Sequence, residues 1–398
     1  MKKNIGIACR VSTGKLDANQ AVKDGRYPFF TCAKYPDTID NFAFDDNVVL
    51  VAGNNAQGNF HVSRFNGKFN AYQRTYILSA KDGFNIDYIY YALKLELKRL
   101  REHSQGSQTK FLTMPILTGI HLRNLSFEDQ SVIADVLKVL DAKIDCNNRI
   151  NAELEAMAKT LYDYWFVQFD FPFDFAQGRP DANGKPYKSS GGKMVYNATL
   201  KREIPAGWWD SSALAVADLL GGGTPTKKKP EYWSGDIPFF TPTDADGSIF
   251  KFSTADYITE EGLTGSSTKL FGKHTVFITA RGSVGRLVLA GVDMAMNQSC
   301  YALRAKAGIS PVFLFFLAKE LIHHLQVKSS GSVFDSIVSN DIELTNLAIP
   351  KGEVIEKFAA VVEPAFEKIA NNTKENQQLA QLRDWLLPLL MNGQVTVA

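Results

Sequence analysis

A chain of 398 residues with 45% hydrophobic side chains has apolar mass for two or three packed domains, which argues against disorder. No run of about 18 apolar residues occurs, and the opening MKKNIGIACRVS lacks the apolar stretch of a secretion signal, so a cytosolic protein is expected. Cys9, Cys32, Cys146 and Cys300 fall in no CxxC or Cys/His ligand spacing, which speaks against structural zinc and against a disulfide framework.

Net charge is only +2, but it is unevenly spread. Residues 128–165 carry eight acids and four bases, and residues 353–390 carry six acids and four bases. These segments together hold −6, leaving +8 for the remainder. Basic globular parts on an acidic scaffold suit contact with DNA, although ordinary charge scatter gives the same totals.

In chain order, the first elements are short β-rich runs broken by Gly, Asn and Pro. Tyr27-Pro-Phe-Phe-Thr31 is one, residues 48–62 (VVLVAGNNAQGNFHV) another and residues 71–78 (AYQRTYIL) a third. A short amphipathic helix is expected over about 86–101, followed by the polar run Gly106–Phe111. Residues 128–165 contain no Pro or Gly and place Ile133, Leu137, Leu140, Ile144, Leu154, Ala158, Leu161 and Trp165 at alternating spacings of four and three. That is a coiled-coil seam, with Asn147 and Asn151 as its polar positions. Ser126, followed by Glu128 and Asp129, supplies an N-cap with an acidic first turn.

Residues 170–205 are rich in Gly, Pro, Ser and Lys and read as an ordered or semi-ordered strap. After it the chain repeats itself. Ile237-Pro-Phe-Phe-Thr241 echoes the first strand, residues 275–289 (TVFITARGSVGRLVL) echo 48–62, and residues 296–303 (MNQSCYAL) echo 71–78. A second short helix is expected over 311–326. From Gln73 and Gln298 onward the offset holds at 225; it is 210 at Pro28/Pro238 and 227 at Val48/Thr275, so loop lengths differ there. The offset of 225 carries the seam onto Val362, Ile369, Asn372, Asn376 and Leu379, keeping both asparagines. Pro364 is expected to kink or restart this second long helix, and Pro388 to end it or bend its last turn.

The fold class expected is α+β: two globular mixed α/β domains joined by two long antiparallel coiled-coil helices, with an internal pseudo-two-fold repeat. The boundaries are 1–125 and 206–350 for the globular domains, 126–167 and 351–392 for the helices, and 168–205 for the linker. Antiparallel pairing reverses one globular domain relative to the other and lets the mid-helix asparagines meet in one polar layer, which sets register at some cost in stability. About 38 residues span roughly 57 Å at 1.5 Å per residue. One turn of B-DNA is shorter, about 34–36 Å.

Several loop residues suit DNA. Lys227, Lys228 and Lys229 follow GGGTPT, where a cationic loop beside glycines fits phosphates; a solvated charge run is the ordinary alternative. Gly282–Gly285, flanked by Arg281 and Arg286, mirrors Gly53–Gly58. Both are expected to be hairpin loops near DNA, with a β-turn holding the core as the ordinary alternative, and their unlike side chains (Asn54, Asn55 and Gln57 against Arg281, Ser283 and Val284) are what two different half-sites require. Gln108 and Lys110 in the polar run, Lys34 after the first PFFT strand, and Thr243 and Asp244 after the second are further candidate base or phosphate contacts. Gln73, Arg74 and Gln298 recur in both copies and favour a structural role. The paired aromatics, Phe29, Phe30, Phe239, Phe240, Tyr90, Tyr91, Phe315 and Phe316, read as core.

These residues in this duplicated order resemble the specificity subunit of type I DNA restriction–modification systems. The second unit carries the likeness most fully: Trp208-Trp209, Leu219-Leu-Gly-Gly-Gly-Thr-Pro225, Ile237-Pro-Phe-Phe-Thr-Pro242, Ile258-Thr-Glu-Glu-Gly-Leu263, Ala280-Arg-Gly-Ser-Val-Gly285, Asn297-Gln298 and Leu347-Ala-Ile-Pro350. Ser12–Asn19 and Tyr27–Cys32 resemble one variety of target recognition domain, and Leu387–Gly393 resembles the family's closing region. The resemblance covers nearly the whole chain. It departs at the abrupt start, without a Trp-containing lead, at Pro364 and at the long linker.

The resemblance implies that each recognition domain reads half of a bipartite double-stranded DNA target. It implies that the helices set the spacing and dock two modification subunits, which methylate adenine with S-adenosylmethionine, and that restriction or motor subunits can join. No cofactor and no catalysis are expected in this chain itself. A methyltransferase fused to its reader would need an Asn/Asp-Pro-Pro-aromatic motif, and the sequence contains no Pro-Pro pair; it also has no GxxxxGK[ST] phosphate loop. A scaffold for other proteins is the third class, disfavoured by the basic excess outside the helices.

Overall fold

The computed structural model describes residues 3–54, 60–103, 112–328 and 335–397. The chain divides into two compact units. Unit 1 is Met1–Asp145 with Asn376–Ala398, and unit 2 is Cys146–Glu375.

Unit 1 opens with β1 (Lys3–Asn4), α1 (Ile5–Ala8) and β2 (Cys9–Thr13), then β3 (Tyr27–Phe30) and β4 (Asp37–Ile39). The long hairpin β5 (Phe44–Ala52) and β6 (Val62–Ala71) follows, then β7 (Thr75–Ala80), α2 (Ile86–His103), α3 (Met114–Gly119) and β8 (His121–Leu122). Six strands form one sheet in the order β2-β7-β5-β6-β3-β4. Val48, Val49, Leu50 and Val51 are buried on both faces, because α2 covers one side and the Phe30–Phe69 cluster the other. The long helix α4 (Phe127–Tyr162) begins at Ser126, whose hydroxyl accepts from the Asp129 amide at 3.0 Å.

In unit 2 the expected strap is ordered. After a turn of π-helix at Asp163–Val167, β9 (Pro172–Asp174), β10 (Arg179–Pro180) and β11 (Lys185–Pro186) make a small sheet. β12 (Met194–Asn197) and β13 (Arg202–Pro205) form a hairpin. Phe171 stacks between Tyr187 (4.7 Å) and Trp208 (5.5 Å), which supplies the apolar anchor that the strap's composition conceals.

The repeat then resumes with β14 (Trp209–Ser211), β15 (Ala217–Gly221), β16 (Trp233–Phe240), β17 (Phe250–Lys251), β18 (Asp256–Ile258) and α5 (Glu260–Thr264). It continues with β19 (Val276–Thr279), β20 (Leu287–Ala290), β21 (Ala295–Met296), β22 (Cys300–Ala305), α6 (Pro311–Lys328), α7 (Ser339–Leu344), β23 (Leu347–Ile349) and the long helix α8 (Gly352–Asn392).

The duplication holds at the level of individual pairings. Phe29 pairs parallel with Asn70, and Phe239 with Ala295. Val49 lies opposite Arg64 and Leu78; Val276 lies opposite Leu289 and Leu303. Both ends of α2, both ends of α3 and the start of α4 recur 225 residues later in α6, α7 and α8. One feature differs. The continuous β6 becomes β20 and β21, broken at Gly291, where a Cβ would meet the Phe252 ring at 2.4 Å. The second copy therefore has sheets of five and three strands instead of one of six.

In each unit α4 and α8 run antiparallel. In unit 1 Ile133 and Leu137 share a core with Leu387, Leu390 and Met391, and further along Asp141 meets Arg383 at 2.6 Å. In unit 2 Asn147 donates to Glu375 at 2.8 Å, Asn151 accepts from Asn372 at 2.8 Å, and Tyr162 packs on Phe358 at 6.0 Å. Leu137, Asn147, Val362, Ile369 and Asn372 are fully buried; Leu140, Ile144, Asn151, Leu154, Asn376 and Leu379 are half-buried. Asn147 reaches the carboxylate of Glu375, and Asn151 and Asn372 form an asparagine-to-asparagine bond of the expected polar layer. One expectation is corrected. α8 runs uninterrupted through Pro364 and Pro388. Pro364 and Ala360, whose carbonyl lacks its helical donor, are both exposed, so water can take that bond.

Candidate nucleic-acid interface

At one end of each sheet the loops are tied together by the same backbone bonds. In unit 1 the Tyr72 amide donates to Phe30 O at 2.9 Å and the Gly53 amide to Arg74 O at 2.8 Å. In unit 2 the Asn297 amide donates to Phe240 O at 3.0 Å and the Ala280 amide to Ser299 O at 2.8 Å. These bonds gather the loop after the PFFT strand, the central hairpin and the turn before β7 or β22. The loop after the first sheet strand joins them. Gln73 donates to Asp17 at 2.8 Å, and in unit 2 Thr224 bonds the Gln298 side chain. Gln73 and Gln298 are therefore fasteners of the scaffold, as their recurrence suggested.

Glycine is required at the same place in both copies. A Cβ on Gly14 would lie 2.1 Å from Ala71 O, and one on Gly222 would lie 2.2 Å from Asn297 O. The first strand can thus pass directly over the returning backbone. Gly282 and Gly285 turn the β19–β20 hairpin with φ of 82° each, a conformation that side-chain-bearing residues rarely adopt.

This scaffold presents cations to solvent. In unit 2 Lys227, Lys228, Lys229 and Arg281 are exposed. Lys227 lies 5.9 Å from the Trp233 ring, and Lys229 lies 4.8 Å from the Tyr232 ring while donating to its hydroxyl at 3.0 Å. That hydroxyl raises the Lys229 pKa, so the ammonium stays charged. The Lys227 and Lys229 ammonium groups rest over aromatic rings on an exposed loop, where they remain open to phosphate oxygens. In unit 1 Lys34 is exposed over the Tyr35 ring at 5.1 Å, and His61 nearby is held below its usual pKa by burial and then by the Lys34 charge. Lys15 and Arg74 are also exposed on the fastened loops. No charge motif of the sequence singles out Lys15; its position two residues before Asp17, which holds Gln73, is a tertiary signal.

The remaining candidates separate. Thr243 is exposed and Ser283 half-buried in the expected loops, and Asn54 is half-buried just after β5. Asn55, Gln57, Gln108 and Lys110 lie outside the described residues. Asp244 is corrected to a structural role. It is buried, and its carboxylate accepts from the Thr241 amide and hydroxyl at 2.8 Å and from the Ala255 amide at 2.9 Å. Arg286 donates through Nη1 to Ala245 O, which ties the hairpin to the loop after β16.

Burial pushes the thiols of Cys9 and Cys300 up to about 12. Such thiols are poor nucleophiles. Among the described residues no group of three His, Cys, Asp or Glu side chains is placed to hold a metal ion, and no described helix is long and apolar enough to cross a membrane.

One scaffold built twice, with unlike exposed loops, defines a two-headed binding protein. The type I restriction modification DNA specificity domain model (Methylase_S) matches residues 3–156 and 206–381, one match for each copy of the repeat, and the chain belongs to this family. It is similar to the type I restriction enzyme EcoDI specificity subunit of Escherichia coli, with 27% identity over 382 residues, covering 92% of this chain and 83% of that one. It is also similar to the MjaIX specificity subunit of Methanocaldococcus jannaschii, 26% identical over 325 residues, covering 80% of this chain and 71% of that one. The crystal structure of a type I restriction–modification S subunit from M. genitalium superposes with a TM-score of 0.59 at 16% identity, covering 98% of this chain and 96% of that one, a likeness of fold.

Proposed function

We propose that the chain is the DNA-reading specificity subunit of a type I restriction–modification complex. Each globular domain reads one half of a bipartite double-stranded target, and the paired helices set the distance between the half-sites. The observation that carries this reading is the residue-by-residue match of the two scaffolds, set beside the mismatch of their exposed loops. Lys34 and Asn54 stand in one copy, and Lys227–Lys229 and Arg281 in the other. A shared scaffold with different side chains offers the same docking geometry to two different base sequences.

On this reading the chain itself is non-catalytic and acts in the cytoplasm. The acidic helices dock two modification subunits, which carry S-adenosylmethionine and methylate adenine, and restriction or motor subunits can join. The test has two parts. Methylome sequencing of a host carrying the intact system should show one bipartite motif, with an adenine modified in each half. Fluorescence anisotropy on a duplex containing that motif should show binding that weakens steeply with salt. Salt-insensitive or absent binding, with a cognate modification subunit present, would falsify the reading.

A further inference from the structure

The repeat reveals a difference between the two copies that lies away from the loops. In unit 1, Arg64 on β6 reaches Asp87 on α2 at 2.7 Å and donates to Val48 O at 3.0 Å and Phe65 O at 2.9 Å. Lys138 on α4 meets the other oxygen of Asp87 at 3.3 Å. The offset of 225 carries Arg64, Asp87 and Lys138 onto Leu289, Val312 and Glu363. The equivalence is structural as well, since Leu289 sits opposite Val276 as Arg64 sits opposite Val49. In unit 2 these three residues line a cavity of about 330 Å³. Where the first copy is plugged by a guanidinium and its ion pairs, the second copy is open.

The cavity keeps the means to hold such a group. Phe250 packs on Phe252 at 6.1 Å and on Phe366 at 6.2 Å, giving aromatic faces. Lys374 already lies 5.0 Å from the Phe252 ring, so that face accepts a cation. Glu363 is fixed at the wall by the Ser310 hydroxyl at 2.7 Å, and Glu367 stands exposed one helical turn along α8. Lys273 and Lys374 balance these two carboxylates at the lining. Net charge therefore does not draw in a small free ion. A planar cation that gains by stacking is favoured over a compact ammonium, and one carried on a polypeptide gains further from its attached surface.

We propose that this cavity receives an arginine side chain of the modification subunit, its guanidinium displacing the Lys374 ammonium from the Phe252 ring and pairing with Glu363 and Glu367. The choice of partner rests on the function proposed above; the choice of arginine rests on Arg64 in the chain's own first copy.

The experiment measures association of the full chain with its cognate modification subunit by biolayer interferometry. Leu289→Arg combined with Val312→Asp transplants the unit 1 pair and fills the cavity from within. It is expected to melt at or above the wild-type temperature and to weaken association at least tenfold. Glu367→Gln, at an exposed position, keeps the fold in any case and is expected to weaken association several-fold. A photo-crosslinker at Asn371 should map to an arginine-bearing segment of the partner. Wild-type association by both variants overturns the arginine pocket and leaves the DNA-specificity reading standing. A loss confined to DNA affinity, with assembly unchanged, overturns it as well. Failure of the wild-type chain to bind either the modification subunit or DNA overturns both.

Discussion

Asn372 on α8 donates its side-chain amide to Asn151 Oδ1 on α4 at 2.8 Å, and Asn372 is fully buried. A buried amide that finds its partner only in one alignment of two antiparallel helices penalises every shifted alignment. Replacing Asn372 alone by Leu should cost about 1–3 kcal/mol, since Asn151 then loses its partner. Replacing both by Leu should recover or exceed wild-type stability while loosening register. Thermal melts of the three proteins give the energies. Spin labels placed on α4 and α8 within unit 2 give the register, and a distance distribution as narrow in the double variant as in wild type would refute the role.

An ion pair closes the helices in unit 1. Arg383 Nη1 meets Asp141 at 2.6 Å, and the Tyr91 hydroxyl donates to the other oxygen of Asp141 at 2.8 Å. Arg383→Ala leaves a half-buried carboxylate with its cation gone and should cost about 1–3 kcal/mol, read from urea midpoints. Tyr91→Phe should cost less, because the arginine pairing survives.

Glu320 gives unit 2 a pH dependence. Burial holds its pKa above the usual carboxylate range, against the opposing hydrogen bond from Tyr162 at 2.7 Å. A raised folded pKa favours the protonated carboxyl. Its stabilising contribution is therefore complete below the ordinary glutamate pKa and is lost as pH rises through the raised value. Glu320→Gln should flatten that decline, keeping the contact with Tyr162 without the charge. Melting temperatures across pH 4–8 check it, and parallel curves for the two proteins would count against the assignment.

Lys227, Lys228 and Lys229 are expected to bind phosphates. Changing all three to Gln should lower the slope of log K against log salt by about 0.9 for each phosphate that is no longer neutralised. Relative affinity for different base sequences should stay unchanged. Arg281→Ala is the contrast, expected to relax preference within one half-site. Anisotropy titrations on cognate and scrambled duplexes separate the two effects.

Asp244 should behave as a structural residue. Asp244→Ala removes the cap on the turn after β16 and the bond to Ala255, and should cost about 1–2 kcal/mol with no change in base preference. A change in preference at unaltered melting temperature would restore it as a reader.

The sequence by itself determined the duplication, and with it most of the architecture. A constant offset of 225 predicts the matching ends of α2 and α6, because helix length follows the local periodicity of apolar side chains. It also predicts the pairings of β7 and β22, because register follows which face is apolar. The N-cap at Ser126 is local in the same sense, since donor and acceptor lie three residues apart. Tertiary structure alone decided what each polar side chain does. Asp244 and Lys228 are both polar loop residues, yet one is enclosed by amides from Thr241 and Ala255 and the other faces water. Asn147 on the seam takes up the Glu375 carboxylate, an approach that periodicity alone does not show. The cavity in unit 2 is equally invisible in Leu289, Val312 and Glu363, which lie on a strand and two helices far apart in the chain. Each of these outcomes depends on which groups approach from distant segments, and hydrogen bonding and packing volume are settled only there.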